Sequence, residues 1–336
     1  MKKQTLGITL VILLSIIAKL LHLYLFKSLE TITIGILIGM LVANLFLIRD
    51  EFKPGIKTAS KKFLNIGIIL MGVSLNFNLI FDLGYKILIL IIILISIGLL
   101  VANYLGKKNK LNSKISTLIG VGSTICGASA IVAMGPVINA EDEDVSISVA
   151  VISLLGVVGV LFYSWVANTF PISDIAYGIW SGSSLQGVSH AIAAASARGS
   201  DSISLEIGTL VKMTRVTLLA PLAFVLSKLM NDKNTKTKVK FPKYVIYFIL
   251  VGFLFSINDK FNIIDLNFNI NNLEFNLKTI FKTISDWLIL AAMVAMGLKT
   301  NIRTLKEKGL PSLKTGFSVF AIISTSSALL IYLLIV

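Results

Sequence analysis

The chain has 336 residues and a formal net charge of +14, from 31 Lys and Arg against 17 Asp and Glu; 55% of it is hydrophobic and 14% is charged. Soluble domains carry about 25% charged residues, and a mean hydropathy of +0.88 is more than one aqueous core hides at this size. Composition therefore excludes a soluble enzyme, a secreted disulfide scaffold and a disordered protein, and the single cysteine, Cys126, excludes a CxxC redox or zinc site.

A membrane-spanning helix needs about 20 mostly apolar residues. Eleven segments qualify: 6–26, 29–48, 63–80, 86–105, 115–136, 145–166, 174–196, 205–229, 244–257, 277–298 and 314–336. The reading is an all-α integral membrane protein, a single multi-pass domain over 1–336 with internal inverted repeats and glycine-rich broken helices. The first segment follows Lys2 and Lys3 but is long, and no small-residue cleavage site follows it, so it reads as a retained helix. The fifth and seventh are weak, being rich in Gly, Ala and Ser. The stretch 258–276 reads as an outer loop with Asn-rich strand or interfacial character. Counting Lys and Arg in alternate connections gives 21 against 6. The positive-inside rule then puts the N-terminus in the cytoplasm and the C-terminus outside. The same alternation puts the acidic run Glu141–Asp144 outside, as a solvated turn. The excess positive charge belongs to cytoplasmic loops, so no nucleic-acid partner is expected.

Two internal repeats stand out. Residues 71–76 (MGVSLN) match 296–301 (MGLKTN) at an offset of 225, each at the end of a span, and Gly84 and Gly309 continue the match. On an eleven-span topology these copies are inverted. Residues 122–129 (GSTICGAS) match 182–189 (GSSLQGVS) at an offset of 60, with Ile147 and Val151 opposite Ile207 and Val211. An inverted pair needs opposite orientation, whereas spans five and seven share one if every segment crosses. Either one glycine-rich segment is re-entrant, or the second repeat is a chance match or a parallel duplication.

The two glycine-rich segments are the candidate site. Glycine permits close helix packing or a helix break. Packing alone does not account for Ser123, Thr124, Ser129, Ser183, Ser184, Gln186, Ser189 and His190 in the same stretches, because polar groups in hydrocarbon must line a cavity or satisfy broken backbone. Broken helices aim free N–H groups at anionic substrates. Lys212 and Arg215 lie three apart on one face of span eight. Glu206, six before Lys212, is on another face, so the two cations need a partner on another helix or a bound anion. His190 is a candidate proton carrier or a packing residue. Cys126 reads as packing, and Asp286 with Trp287 as an interfacial anchor. The chain has no GxxxxGK[ST], HExxH or GxSxG. Its two histidines, His22 and His190, make no metal cluster. No enzyme activity, cofactor or metal is expected.

Three blocks carry a family resemblance: Gly122 to Ile131 ending at Pro136 and an acidic turn; Trp180 to Gly187 followed by Val211-Lys-Met-Thr-Arg215 and Ala220-Pro221; and Leu288 to Thr300. Over about 30–336 the chain resembles the YeiH-type family of bacterial inner-membrane proteins, to which sulfate export is ascribed, with distant kinship to bile acid–sodium symporters and cation–proton antiporters. The resemblance implies a five-helix inverted-repeat core with broken crossing helices, a second domain moving against it, and residence in the bacterial plasma membrane. One departure stands out. The family's second glycine-rich block has a His followed by an acidic residue, with a Gln four beyond the His. Here those places hold Gln186, Gly187 and His190. The expected activity is secondary-active export of a small anion, of the sulfate or sulfonate class, by alternating access. The site would comprise Ser123, Thr124, Gly127, Ser129, Ser183, Ser184, Gln186, Ser189, His190, Lys212 and Arg215. Membrane lipid, a second copy of the chain and a coupling ion, proton or sodium, are the candidate partners. An anion channel and an intramembrane enzyme are the alternatives.

Overall fold

A computed structural model describes residues 2–25, 31–46, 48–75, 77, 84–198, 203–230, 243–270, 273–299 and 302–334. The basic stretch 231–242 and the ends of the first repeat, at 76 and 300–301, lie outside these residues. Among the described residues the structure is helical apart from one short hairpin, and six helices are long and apolar enough to cross a membrane unaided. The chain divides into two compact units, 1–27 with 31–78 and 231–301, and 28–30 with 79–230 and 302–336.

The first unit contains α1 (Lys2–Tyr24), α2 (Thr31–Leu45), α3 (Lys53–Thr58), a π turn (Ala59–Phe63), α4 (Leu64–Met71), α13 (Lys243–Phe261), the strands β1 (Asn267–Ile270) and β2 (Leu273–Asn276), and α14 (Leu277–Gly297). Hydrocarbon supplies no hydrophobic drive between helices, so close packing decides. α14 packs on glycines: a Cβ at Gly35 would lie 2.7 Å from Leu290 Cδ1, and one at Gly67 2.8 Å from Ile289 Cγ1. Ser285 Oγ donates to Gly67 O at 2.7 Å. The Asn-rich stretch forms the antiparallel β1–β2 pair, with Asn267 opposite Asn276. Met71 and Gly297, both in the first repeat, each end an α-helix.

The second unit holds α5 (Tyr85–Lys108), α6 (Ser113–Thr124), α7 (Ala128–Val137), α8 (Asp142–Thr169), α9 (Asp174–Ser184), α10 (Val188–Ala195), α11 (Ile203–Thr217), α12 (Leu219–Met230) and α15 (Ile302–Leu334). α5 exposes Ile89, Ile92 and Leu100, a face suited to lipid. α11 and α12 are offset at Leu218 because Pro221 has no N–H and its ring crowds the carbonyl four residues back.

Both glycine-rich segments fold back on themselves. Lys114 and Asn139 are 25 residues apart and would be about 37 Å apart on a straight helix, yet Lys114 Nζ donates to Asn139 O at 2.5 Å. A Cβ at Gly122 would lie 2.6 Å from Ile131 Cδ1, so α7 lies back along α6. In the second segment Tyr177 Oη, near the start of α9, donates to Ala194 O at 2.9 Å, near the end of α10. Arg198 closes the base with a 3.0 Å pair to Asp174 and a 2.5 Å bond to Ile172 O. Legs of 12, 10, 11 and 8 residues reach about 12–18 Å, half of a ~30 Å hydrocarbon layer.

The bases of the hairpins sit at opposite ends of α8. Asn112 Nδ2 donates to Asp144 Oδ1 at 3.0 Å at one end, and Tyr177 Oη donates to Tyr163 O at 3.0 Å toward the other. The helix between them makes one crossing, so the hairpins enter from opposite ends. The offset of 60 is therefore an inverted repeat, and the parity conflict disappears: α6 and α9 end at Thr124 and Ser184, and α7 and α10 begin at Ala128 and Val188. Two expectations are corrected. Segments 115–136 and 174–196 are re-entrant rather than spanning, which leaves nine of the eleven as candidate crossings. The acidic run Glu141–Asp144 lies at the same end as the basic connection 107–114, not opposite it. Lys308, on another basic connection, reaches Asp144 at 3.8 Å and Glu143 at 4.0 Å there.

Candidate functional site

The tips of the two hairpins meet. Gly127 has φ +74, a conformation that favours glycine, and a Cβ there would lie 3.1 Å from Gly187 Cα and 3.5 Å from Gln186 C. Four half-helix ends converge: the C-termini of α6 and α9, and the N-termini of α7 and α10, with Gly127 and Gly187 as N-caps. Helix C-termini carry unsatisfied carbonyls and about half a negative charge; N-termini carry free N–H groups and about half a positive one.

Lys212 and Arg215 meet the negative ends. Both are fully buried. Arg215 Nε donates to Thr124 O at 2.6 Å and Nη2 to Ser123 O at 2.9 Å. Its Nη1 donates to Gly182 O and Leu185 O, both at 2.9 Å. One guanidinium thus ties the C-terminus of each hairpin's first leg to α11. Lys212 Nζ donates to Leu185 O at 2.6 Å and to Gln186 O. The partner that sequence reasoning asked of another helix is backbone carbonyl, a group with no side-chain signature.

The remaining candidates divide by what their side chains touch. The Gln186 side chain is fully buried at the tip, and neither its amide nitrogen nor its oxygen has a hydrogen-bond partner. Its Oε1 faces α8, 3.7 Å from where a Cβ on Gly159 would lie. Ser123 Oγ, in the last turn of α6, is buried without a hydrogen-bond partner as well. Cys126 is buried between the legs of the first hairpin. The His190 ring packs where a side chain on Gly156 of α8 would stand. Ser129 is half-buried on the first turn of α7, and Ser189 is exposed on the first turn of α10.

The other hydroxyls serve the framework. Thr124 Oγ1 donates to Gly120 O at 2.8 Å. Ser183 Oγ is 2.6 Å from Ser327 Oγ of α15. Ser184 Oγ lies 2.5 Å from Tyr163 Oη and also donates to Trp180 O. Tyr163 Oη is in turn 2.8 Å from Ser324 Oγ, and Trp180 Nε1 donates to Ser324 O at 2.9 Å. Tyr163, Ser324 and Ser327 were not singled out in the sequence, where isolated hydroxyls in apolar helices look like any others.

The charges at the tips add up to a positive site. The four helix ends cancel in pairs, leaving the two cations. Residues 120–131 and 180–192 contain no Asp or Glu. Two buried cations, an orphan amide and two helix N-termini together form a surrounding that suits an anion.

Comparison with known proteins agrees with the resemblance. The family described as conserved hypothetical protein 698 matches residues 6–316. A UPF0324 membrane protein of Fusobacterium nucleatum is 35% identical over 307 residues, 87% of this chain and 88% of that one. A UPF0324 membrane protein of Streptococcus agalactiae is 34% identical over 322 residues, 94% of this chain and 93% of that one. Among solved structures, the sodium proton antiporter MjNhaP1 of Methanocaldococcus jannaschii aligns over 94% of this chain and 99% of that one, but with a TM-score of 0.30 and 12% identity, a likeness that carries no further conclusion. With a family match over nearly its whole length and relatives that are membrane proteins, the chain belongs to the YeiH-type membrane-protein family described as conserved hypothetical protein 698.

Proposed function

We propose that this protein is a secondary-active transporter, not an enzyme, that moves a small anion of the sulfate or sulfonate class across the bacterial plasma membrane by alternating access. The observation that carries the reading is the electrostatics of the tips. Lys212 and Arg215 are buried on the C-terminal carbonyls of α6 and α9. The N-termini of α7 and α10 are left as the polar ends available to a ligand, beside the unpartnered Gln186 amide and Ser123 hydroxyl. Because the hairpins enter from opposite ends of the unit, each separates the tips from one side, and movement of either opens a path to that side only. A channel reading finds no comparable support, since two buried tips in direct approach close the path.

The test is thermal unfolding of the purified protein in detergent with sulfate, sulfite, thiosulfate, taurine, dicarboxylates and chloride at matched ionic strength. A ligand that binds the folded state alone stabilises it by about 2.7 kcal/mol at a hundredfold excess over Kd. A selective rise in melting temperature with a sulfur oxyanion, absent in Gln186→Leu, supports the site and leads to flux in liposomes. A melting curve indifferent to every anion, with no flux of sulfate, rejects it.

A further inference from the structure

The first unit carries a row of lysines on the helix formed by α3, the π turn and α4. Gly55, Ile56, Ala59 and Ser60 are buried on one side of it, and a Cβ on Gly55 would lie 2.5 Å from Gly7 Cα of α1. That close crossing fixes which face looks outward. The outward face carries Lys53, Lys57, Lys61 and Lys62, all exposed. Lys53 is paired with Asp50 at 2.5 Å. Lys57, Lys61 and Lys62 make no ion pair among the described residues. One turn beyond Lys62 on the same helix, Ile66 is 48% exposed. We propose that this face is a binding site for an anionic phospholipid, with the headgroup phosphate on Lys57, Lys61 and Lys62 and an acyl chain along Ile66.

The order of chemistry along the helix assigns a lipid. Exposed cations followed by an exposed apolar side chain repeat the order met on passing from headgroups into hydrocarbon. A soluble phosphate would use the lysines and gain nothing from Ile66. The π turn matters to the spacing. A regular helix turns position 62 well away from position 57, whereas a π turn closes on i→i+5 bonds and draws Lys62 back toward Lys57. The π turn at Ala59–Phe63 lies between them, so the three ammonium groups gather on one side. No Asp or Glu occurs from residue 52 to residue 71. The nearest acids precede α3: Asp50, held by Lys53, and the exposed Glu51. The basic end of the second unit is built otherwise, for there Lys114 donates to Asn139 O and Lys308 sits beside Glu143 and Asp144. The lipid site does not rest on the anion reading above, because its residues and those of the tips belong to different units.

The experiment is native mass spectrometry of the full-length protein in detergent, titrated with dioleoylphosphatidylglycerol or with dioleoylphosphatidylcholine. The unaltered protein should hold phosphatidylglycerol more tightly. In the combined variant Lys57→Gln, Lys61→Gln, Lys62→Gln that affinity should fall by about a hundredfold, at about fivefold per lysine facing an anionic headgroup. Removing the same charge from the second unit, as Lys107→Gln, Lys108→Gln, Lys110→Gln, should weaken it by less than about fivefold, the worth of one such lysine. Equal loss in the two variants overturns the site in favour of a general attraction to basic ends. Equal affinity of the unaltered protein for the two lipids overturns it without reference to any variant, and so decides the matter even where a variant does not fold. Ile66→Gln keeps every charge and should weaken phosphatidylglycerol binding severalfold. Unchanged affinity in that variant, or displacement of the bound lipid by glycerol 3-phosphate, overturns the assignment to a lipid.

Discussion

Arg215 and Gln186 make opposite kinds of buried polar residue, and substitution separates them. Arg215 donates to four carbonyls drawn from both hairpins. Removing its side chain takes the donor from Ser123 O, Thr124 O and Gly182 O, while Leu185 O keeps Lys212 Nζ, at about 1–3 kcal/mol for each of the three, against a total stability of roughly 5–15 kcal/mol. Arg215→Leu is therefore expected to give no monodisperse protein on size-exclusion chromatography in detergent, and recovery of a sharp peak at wild-type yield would argue that the guanidinium does not hold the tips. Lys212→Met takes a donor from Gln186 O and leaves Leu185 O with Arg215 alone, on one hairpin only, so it should fold with a lowered melting temperature. Gln186 contributes nothing comparable to stability, because its buried amide has no hydrogen-bond partner. Replacing such a group with an apolar one of similar shape is neutral or stabilising. Gln186→Leu should unfold at or above the wild-type temperature while losing the rise that sulfate produces. A variant that melts lower and still responds to sulfate would show that the amide serves the fold rather than the ligand.

The two hairpins are the elements on which topology and function both turn. A pair of cysteines placed at Lys110 and Asn139, in a Cys126→Ala background, should react with a membrane-impermeant maleimide from the same side. Phe170 and Ala197 should react together from the other. The contacts between Lys114 and Asn139, and between Arg198 and Asp174, require this pairing, while eleven full crossings would put the members of each pair on opposite sides. At the tip, Gly127→Ala combines a φ of +74 with a Cβ 3.1 Å from Gly187 Cα. A residue held in a conformation reserved for glycine costs about 1–3 kcal/mol, so the melting temperature should fall. By backbone conformation Gly187→Ala should fall less, since φ there is −76. Much of this was legible in the residues. The offset of 60 matches the two helix breaks, after Thr124 and Ser184, and the density of Gly and Ser marks the two segments that form the candidate site. The fold-back was not legible, because 22 small and apolar residues make one crossing or two half-length legs with the same periodicity, and the difference lies in the dihedral angles of Ile125 to Gly127. The conflict between repeat and parity was its one trace. The carbonyl partners of Lys212 and Arg215 were out of reach for a related reason, since every residue carries a carbonyl and Arg215 meets Thr124 across 91 positions.

Orientation follows from charge counted at the two ends of the second unit. One end gathers the base of the first hairpin with two basic connections: Asn109 Nδ2 donates to Thr315 Oγ1 at 2.8 Å, and Lys308 meets Glu143 and Asp144. Lys107, Lys108, Lys110, Lys114 and Lys308 lie there. The other end holds the base of the second hairpin, with Arg198 already paired to Asp174. Moving the acidic run to the basic end does not weaken the assignment, because Asp and Glu contribute little to membrane orientation. The re-entrant hairpins leave the count of Lys and Arg by side unchanged, since the connection that changes sides at 168–173 carries neither. The basic end should face the cytoplasm. The far end of α15 lies with the second hairpin, where Ala328, Ile331 and Tyr332 border a cavity shared with Ile172, Ala176 and Trp180. Alkaline phosphatase fused after Val336 should therefore be active in a bacterial host, and a green fluorescent protein at the same position should be dark. The reverse pattern would turn the whole chain over in the membrane. The proposed assignment of export rather than import to a given gradient would not survive that inversion.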